Sequence, residues 1–164
     1  MTLRRGLAIA AVVLVLDQLT KWALLEWIAS HPPGERFFSV APFFDIVLVW
    51  NRGVSFGMFN NAEGGFNAIA FSVLAAVIIV GLIVWLRRAT QPFVVGGIGL
   101  VIGGAIGNVI DRLRFGAVVD FLDFHVGGLH WPAFNVADSA ICVGVALIVI
   151  DGLLGRREMP NKMA

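Results

Sequence analysis

Four stretches of this chain, roughly Leu7 to Ile28, Phe66 to Leu86, Phe93 to Ile110 and Phe134 to Leu154, are each long and apolar enough to cross a bilayer. A crossing takes about 20 residues of helix. Composition agrees with that reading: 59% of residues are hydrophobic and 14% charged, and mean hydropathy is +0.88, outside the usual range of soluble domains. The chain reads as an integral membrane protein, and its 164 residues as one domain, 1–164. A net charge of +1 gives no reason to expect nucleic acid as a partner.

Arg4 and Arg5 before a short apolar core resemble a cleavable signal peptide. The apolar pattern resumes beyond Asp17-Gln18-Leu19-Thr20-Lys21, however, and is too long for a signal core. Orientation follows from the basic residues, because short loops rich in Lys and Arg stay cytoplasmic. Arg4 and Arg5 precede span one, Arg87 and Arg88 join spans two and three, and Arg156, Arg157 and Lys162 follow span four. Both termini are expected in the cytoplasm. Two segments then lie outside, Ala29 to Gly65 and Asp111 to Ala133. The first holds Pro32-Pro33-Gly34 and an alternating stretch from Phe43 to Trp50, which predicts a small sheet. The expected fold is an all-α membrane protein of four transmembrane helices with a small extracytoplasmic β-rich cap.

Asp120 and Asp138 stand at the edges of this lipid-compatible chain, where an ionised side chain is costly and therefore a candidate for function. Two carboxylates brought together cannot both ionise easily, and a pair sharing one proton can activate water and protonate a leaving amine. Each could instead cap a helix or pair with Arg. Asp17 and Lys21, at i and i+4, share a helical face and read as an internal polar brace. Asp111 and Arg112 point in different directions on a helix, and Asp111 reads as structural, paired with a basic neighbour. Asp123 carries no catalytic role. Gly99, Gly103 and Gly107 make a smooth helical face for close packing or for an apolar groove. Gly107 also adjoins Asn108, where a polar surface emerges.

Cys142 excludes an internal disulfide and reads as a small buried hydrophobe. His31, His125 and His130 form no zinc-protease helix, and no nucleophile elbow frames Ser55 or Ser139. No metal and no other cofactor is expected. Trp27, Trp50 and Trp131 read as interfacial anchors at the outer edge, and Trp131-Pro132 as the turn into span four.

Five blocks occur in order along the chain: Asp17 to Lys21, Asn51-Arg52-Gly53-Val54-Ser55-Phe56, Gly103 to Arg112, Gly116 to Phe121, and Phe134 to Ser139. Together they resemble the lipoprotein signal peptidase family, signal peptidase II, with Val54 standing where the family more often has a small residue. The resemblance implies a bacterial inner-membrane aspartyl endopeptidase that removes signal peptides from diacylglyceryl-modified prolipoproteins, cutting just before the lipidated cysteine. By motif, Asp120 and Asp138 would be the catalytic dyad, with Asn51, Asn108, Arg112 and Asn135 supporting it or contacting substrate. The implied partners are prolipoproteins and membrane lipid; the resemblance leaves the oligomeric state open and is compatible with a monomer. The rival reading is a non-enzymatic carrier or assembly factor built on buried carboxylates, although four spans without inverted halves argue against a carrier.

Overall fold

In the computed structural model, which describes residues 2–32, 37–53 and 64–155, the long apolar stretches form four helices. These are α1 (Thr2–Ala29), α2 (Gly64–Leu86), α3 (Pro92–Phe115) and α4 (Val136–Gly155). All four are long and apolar enough to span a membrane. Pro33, Gly34, Glu35, Val54 to Phe56, Glu63 and the basic residues from Arg156 onward lie outside the described residues.

Helix α1 runs unbroken through Asp17 to Lys21 at the length and hydropathy of a membrane span. Helix α3 departs from expectation. It continues to Phe115 instead of ending near Ile110, so Asp111 and Arg112, expected both as helical neighbours and as the start of the outer segment, lie within the helix. Polar residues near its end made the span look shorter, but Asn108 and Asp111 are buried among partners described below.

α3 is the central helix, packed by α1, α2 and α4. Without a hydrophobic force between helices in lipid, close approach of backbones holds them together. Glycines supply that approach. A Cβ at Gly99 or Gly103 would meet the α1 backbone at Gly6 or Ala10, and one at Gly104 would meet Ala137 of α4. At Gly107 it would meet the Asp17 carboxylate. The smooth face is therefore filled by neighbouring helices and offers no groove for a substrate. Leu86, Val94, Val95, Ile98 and Ile102 form the apolar core at this end.

The cap is an antiparallel sheet in the order β1-β2-β3-β4, comprising β1 (Phe37–Ala41), β2 (Phe44–Asn51), β3 (Val118–Val126) and β4 (Leu129–His130). The strand expected near Phe43 to Trp50 is β2. Half of the sheet comes from the second connecting segment, which the sequence reading had left without strands. Its strand β3 begins with four consecutive buried residues, Val118 to Phe121, so no alternation marks it. Gly116, at φ 71°, caps α3 in the left-handed conformation and donates its N–H to Arg112 O at 2.9 Å. This reversal turns the chain straight from α3 into β3. Leu24, Val119 and Phe121 form a second core where the sheet meets α1.

Candidate active site

Asp120 sits on β3, opposite Val49 of β2, while Asn51 at the end of β2 pairs with Val118. The segment before α4 is tied to the same strand: Phe121 and Leu122 donate backbone N–H groups to Phe134 O at 3.0 and 2.8 Å, and Phe134 N returns a bond to Leu122 O at 3.1 Å. These bonds deliver Asn135 and Asp138 beside Asp120. Asn135 then caps α4. Its Oδ1 accepts the Asp138 N–H at 2.9 Å, and Asp138 Oδ2 accepts the Asn135 N–H at 3.3 Å. That is a capping box with aspartate in the third helical position, where the helix dipole also favours a carboxylate.

Three asparagines link the two carboxylates. Asn51 Nδ2 donates to Asp120 Oδ2 at 3.0 Å and Asn135 Nδ2 to Asp120 Oδ1 at 2.8 Å, while Asn108 Nδ2 donates to Asp138 Oδ1 at 2.8 Å. Asn135 Nδ2 also reaches Asn108 Oδ1 at 3.3 Å, closing the circuit. Asp120 is buried and Asp138 half-buried. Burial foremost, and then the charge of Asp138, push the Asp120 carboxyl up to about 7; its bonds from Asn51 and Asn135 and the Lys21 charge oppose that rise.

Behind this layer lies a hub of charges. Lys21 Nζ is 2.8 Å from Asp17 Oδ2, 2.7 Å from Asp111 Oδ2 and 3.2 Å from Asn108 Oδ1, with all of these residues buried. Asp17 Oδ1 also accepts the Ala137 N–H at 2.9 Å, and Asp111 Oδ2 the Val119 N–H at 3.1 Å. The expected brace is thus a triad joining α1, α3, α4 and β3, and Lys21 is the basic neighbour of Asp111. Gln18, which sequence reasoning passed over, donates to Asp17 Oδ2 at 3.2 Å and to Asp111 Oδ1 at 3.1 Å. Its place beside Asp17 in the first block was the available signal.

The pair opens into a cleft of about 520 Å³ whose lining includes Asn51, Asn108, Arg112, Asp120, Asp138, Trp131, Phe134 and Cys142. Arg112 lies within electrostatic reach of Asp138 and Asp120. Its Nη1 donates to Asn108 O over a long 3.4 Å, and its guanidinium rests 5.5 Å from the Phe71 ring centroid. Cys142 corrects its expectation: it is exposed, one helical turn from Asp138, and lines the cleft. The α4 spacing of four residues could have indicated this. Trp27, Trp50 and Trp131 all lie at the sheet end, and Trp131 also lines the cleft. Asp123 lies apart, 2.8 Å from His130 Nδ1 on the rim, and His125 faces Asp45 at 3.3 Å.

The arrangement therefore combines two carboxylates, one held close to neutral pH, with fixed donors and an apolar-walled cleft. Comparison with known proteins points to one family. The profile of a family described as signal peptidase (SPase) II matches residues 9–154. A lipoprotein signal peptidase of Paraburkholderia phymatum is 50% identical over 153 residues, covering 90% of this chain and 86% of the relative. One from Oleidesulfovibrio alaskensis is 47% identical over 144 residues, covering 87% and 90%. A solved bacterial membrane enzyme superposes with a TM-score of 0.80 at 31% identity, covering 98% of this chain and 94% of that one.

Proposed function

The chain belongs to the signal peptidase II family of bacterial membrane enzymes that process prolipoprotein signal peptides, and from that premise we propose an aspartyl mechanism carried by Asp120 and Asp138. Membership in a family of peptidases also removes the rival reading of a carrier or assembly factor. The observation that carries the mechanism is the pair itself, joined through Asn108 and Asn135 on one cleft.

In this mechanism Asp120 supplies the acid and Asp138 the carboxylate base of a pair that shares one proton. Asp138 takes a proton from water, and the resulting hydroxide attacks the carbonyl carbon of the residue preceding the diacylglyceryl cysteine. Asp120 gives its proton to the carbonyl oxygen, forming a neutral tetrahedral diol. As the C–N bond breaks, the proton on Asp138 passes to the leaving amine of the cysteine. A diol hydroxyl returns its proton to Asp120, and the starting state is restored. Asn51 and Asn135 hold Asp120 in register throughout. Arg112, which forms no direct salt bridge with either carboxylate among the described residues, is available for the substrate backbone.

The acyl chains of the cysteine remain in the bilayer and set the height of the scissile bond, so lipid acts as a positional anchor as well as a source of binding. The enzyme lies in the bacterial inner membrane with both termini cytoplasmic and the cleft near the extracytoplasmic face. The basic residues Arg4, Arg5, Arg87 and Arg88 support this orientation. The test is a matched precursor with and without its diacylglyceryl group, incubated with purified protein. Rapid cleavage of the lipidated form only is the expected result; equal rates would sink the lipoprotein-specific reading.

A further inference from the structure

A carboxamide has one accepting and one donating end, and in each of the three asparagines the accepting end meets a group that can only donate. Asn51 Oδ1 takes the Gly53 N–H at 3.1 Å, and Asn135 Oδ1 takes the Asp138 N–H at 2.9 Å. Asn108 Oδ1 takes the Lys21 ammonium at 3.2 Å. Each amide NH2 is thereby aimed at a carboxylate. For Asn51 and Asn135 the pin is main chain. For Asn108 it is a charged side chain on another helix.

We propose that Lys21 is a positioning residue for the peptidase reaction: by holding Asn108 Oδ1, it keeps the Asn108 NH2 donating to Asp138, the carboxylate that takes the proton from water. This inference rests on the aspartyl reading above. Lys21 has three N–H groups, and Asp17, Asp111 and Asn108 match them one for one. A brace between Asp17 and Asp111 would need only two. Asn135 Nδ2 is the other donor to Asn108 Oδ1, but its nearest acceptor is Asp120, at 2.8 Å against 3.3 Å. Without the ammonium Asn108 can turn over, presenting Oδ1 to Asp138, and only a protonated Asp138 satisfies that arrangement.

The groups bearing on Asp138 are Asn108 and Arg112 from α3, Asp120 from β3, Asp17 and Lys21 from α1, and Asn135 at its own cap. Loss of Lys21 should therefore move the acidic limb of the activity profile to higher pH. In Lys21→Met, kcat should fall about tenfold or more with KM little changed, as removal of a charge-assisted hydrogen-bond network predicts. The discriminating comparison is a double-mutant cycle with Asn108→Ala. If Lys21 acts through Asn108, adding Lys21→Met to Asn108→Ala costs no further activity per folded molecule.

Losses that multiply in the double variant, or a pH profile that does not move, would overturn the positioning role and leave Lys21 a brace. Should Lys21→Met fail to fold, Lys21→Met/Asp111→Asn leaves the hub with one net negative charge, as Asp17, Lys21 and Asp111 do together. It is then compared with Asp111→Asn alone, with and without Asn108→Ala, and the same outcomes decide. Wild-type protein that cleaves no lipidated precursor overturns the functional reading itself. Wild-type protein that cleaves it, with additive variants, overturns only the role of Lys21.

Discussion

Asp120 carries a proton that its surroundings hold near neutrality, and both activity and stability should register this. With its carboxyl raised from 3.8 to about 7, cleavage should decline above about pH 7 as the acid of the pair ionises. For stability the sign is set by proton binding. Between those two values the folded chain holds more protons than the unfolded one, so the contribution of Asp120 is full below 3.8 and is lost as pH rises through about 7. Melting temperatures in detergent across that range should fall with rising pH, and Asp120→Asn should flatten the trend. The same variant, and Asp138→Asn, should lower cleavage by about a hundredfold or more, since an amide cannot exchange the required proton. Asp123→Asn should remain active, because Asp123 is engaged with His130 on the rim. Substantial turnover by either dyad variant removes that residue from the mechanism.

Elements position these residues through close contacts that leave little slack. Gly107 packs directly on the Asp17 carboxylate, so Gly107→Ala should destabilise the protein by about 1–3 kcal/mol, as overpacking does. Thermal unfolding in detergent checks this, and an unchanged melting temperature would mean the hub has room to shift. The four helices were legible in the sequence because hydropathy alone marks a span. The end of α3 was not. Hydropathy scores residues one at a time, whereas Asn108 and Asp111 are buried by partners on α1 and α4 that no local pattern reveals. Strand β3 was hidden for a related reason, being covered on both faces where it enters between helices. The dyad and its asparagines could be named from the family motifs, but the Lys21 contact to Asn108 spans 87 residues and exists only in the fold.

For the whole molecule, the glycines of α3 are spent on α1 and α4, so substrate has to reach the carboxylates along the wall that holds Arg112, Trp131 and Cys142. A bulky apolar maleimide attached to Cys142 should therefore block cleavage of a lipidated precursor, and Cys142→Ala enzyme should be insensitive to the reagent. Full activity after complete labelling would place the route elsewhere. Reporter tags at either terminus or beside Arg87 and Arg88 should read as cytoplasmic, and tags near Glu35 or Glu63 as external. An external loop protected in intact cells would reverse the assigned face. The cleft joins two surfaces of opposite character, a floor of interlocked carboxylates and amides, and a wall on which, Arg112 apart, the side chains of Trp131, Ile141 and Cys142 shape the space. An inhibitor that grips the floor would exploit groups that the proposed mechanism cannot exchange without losing the reaction. Escape under drug selection should accordingly fall on the wall, at Trp131, Ile141 or Cys142, and compounds that make little use of that wall should be the slowest to lose potency.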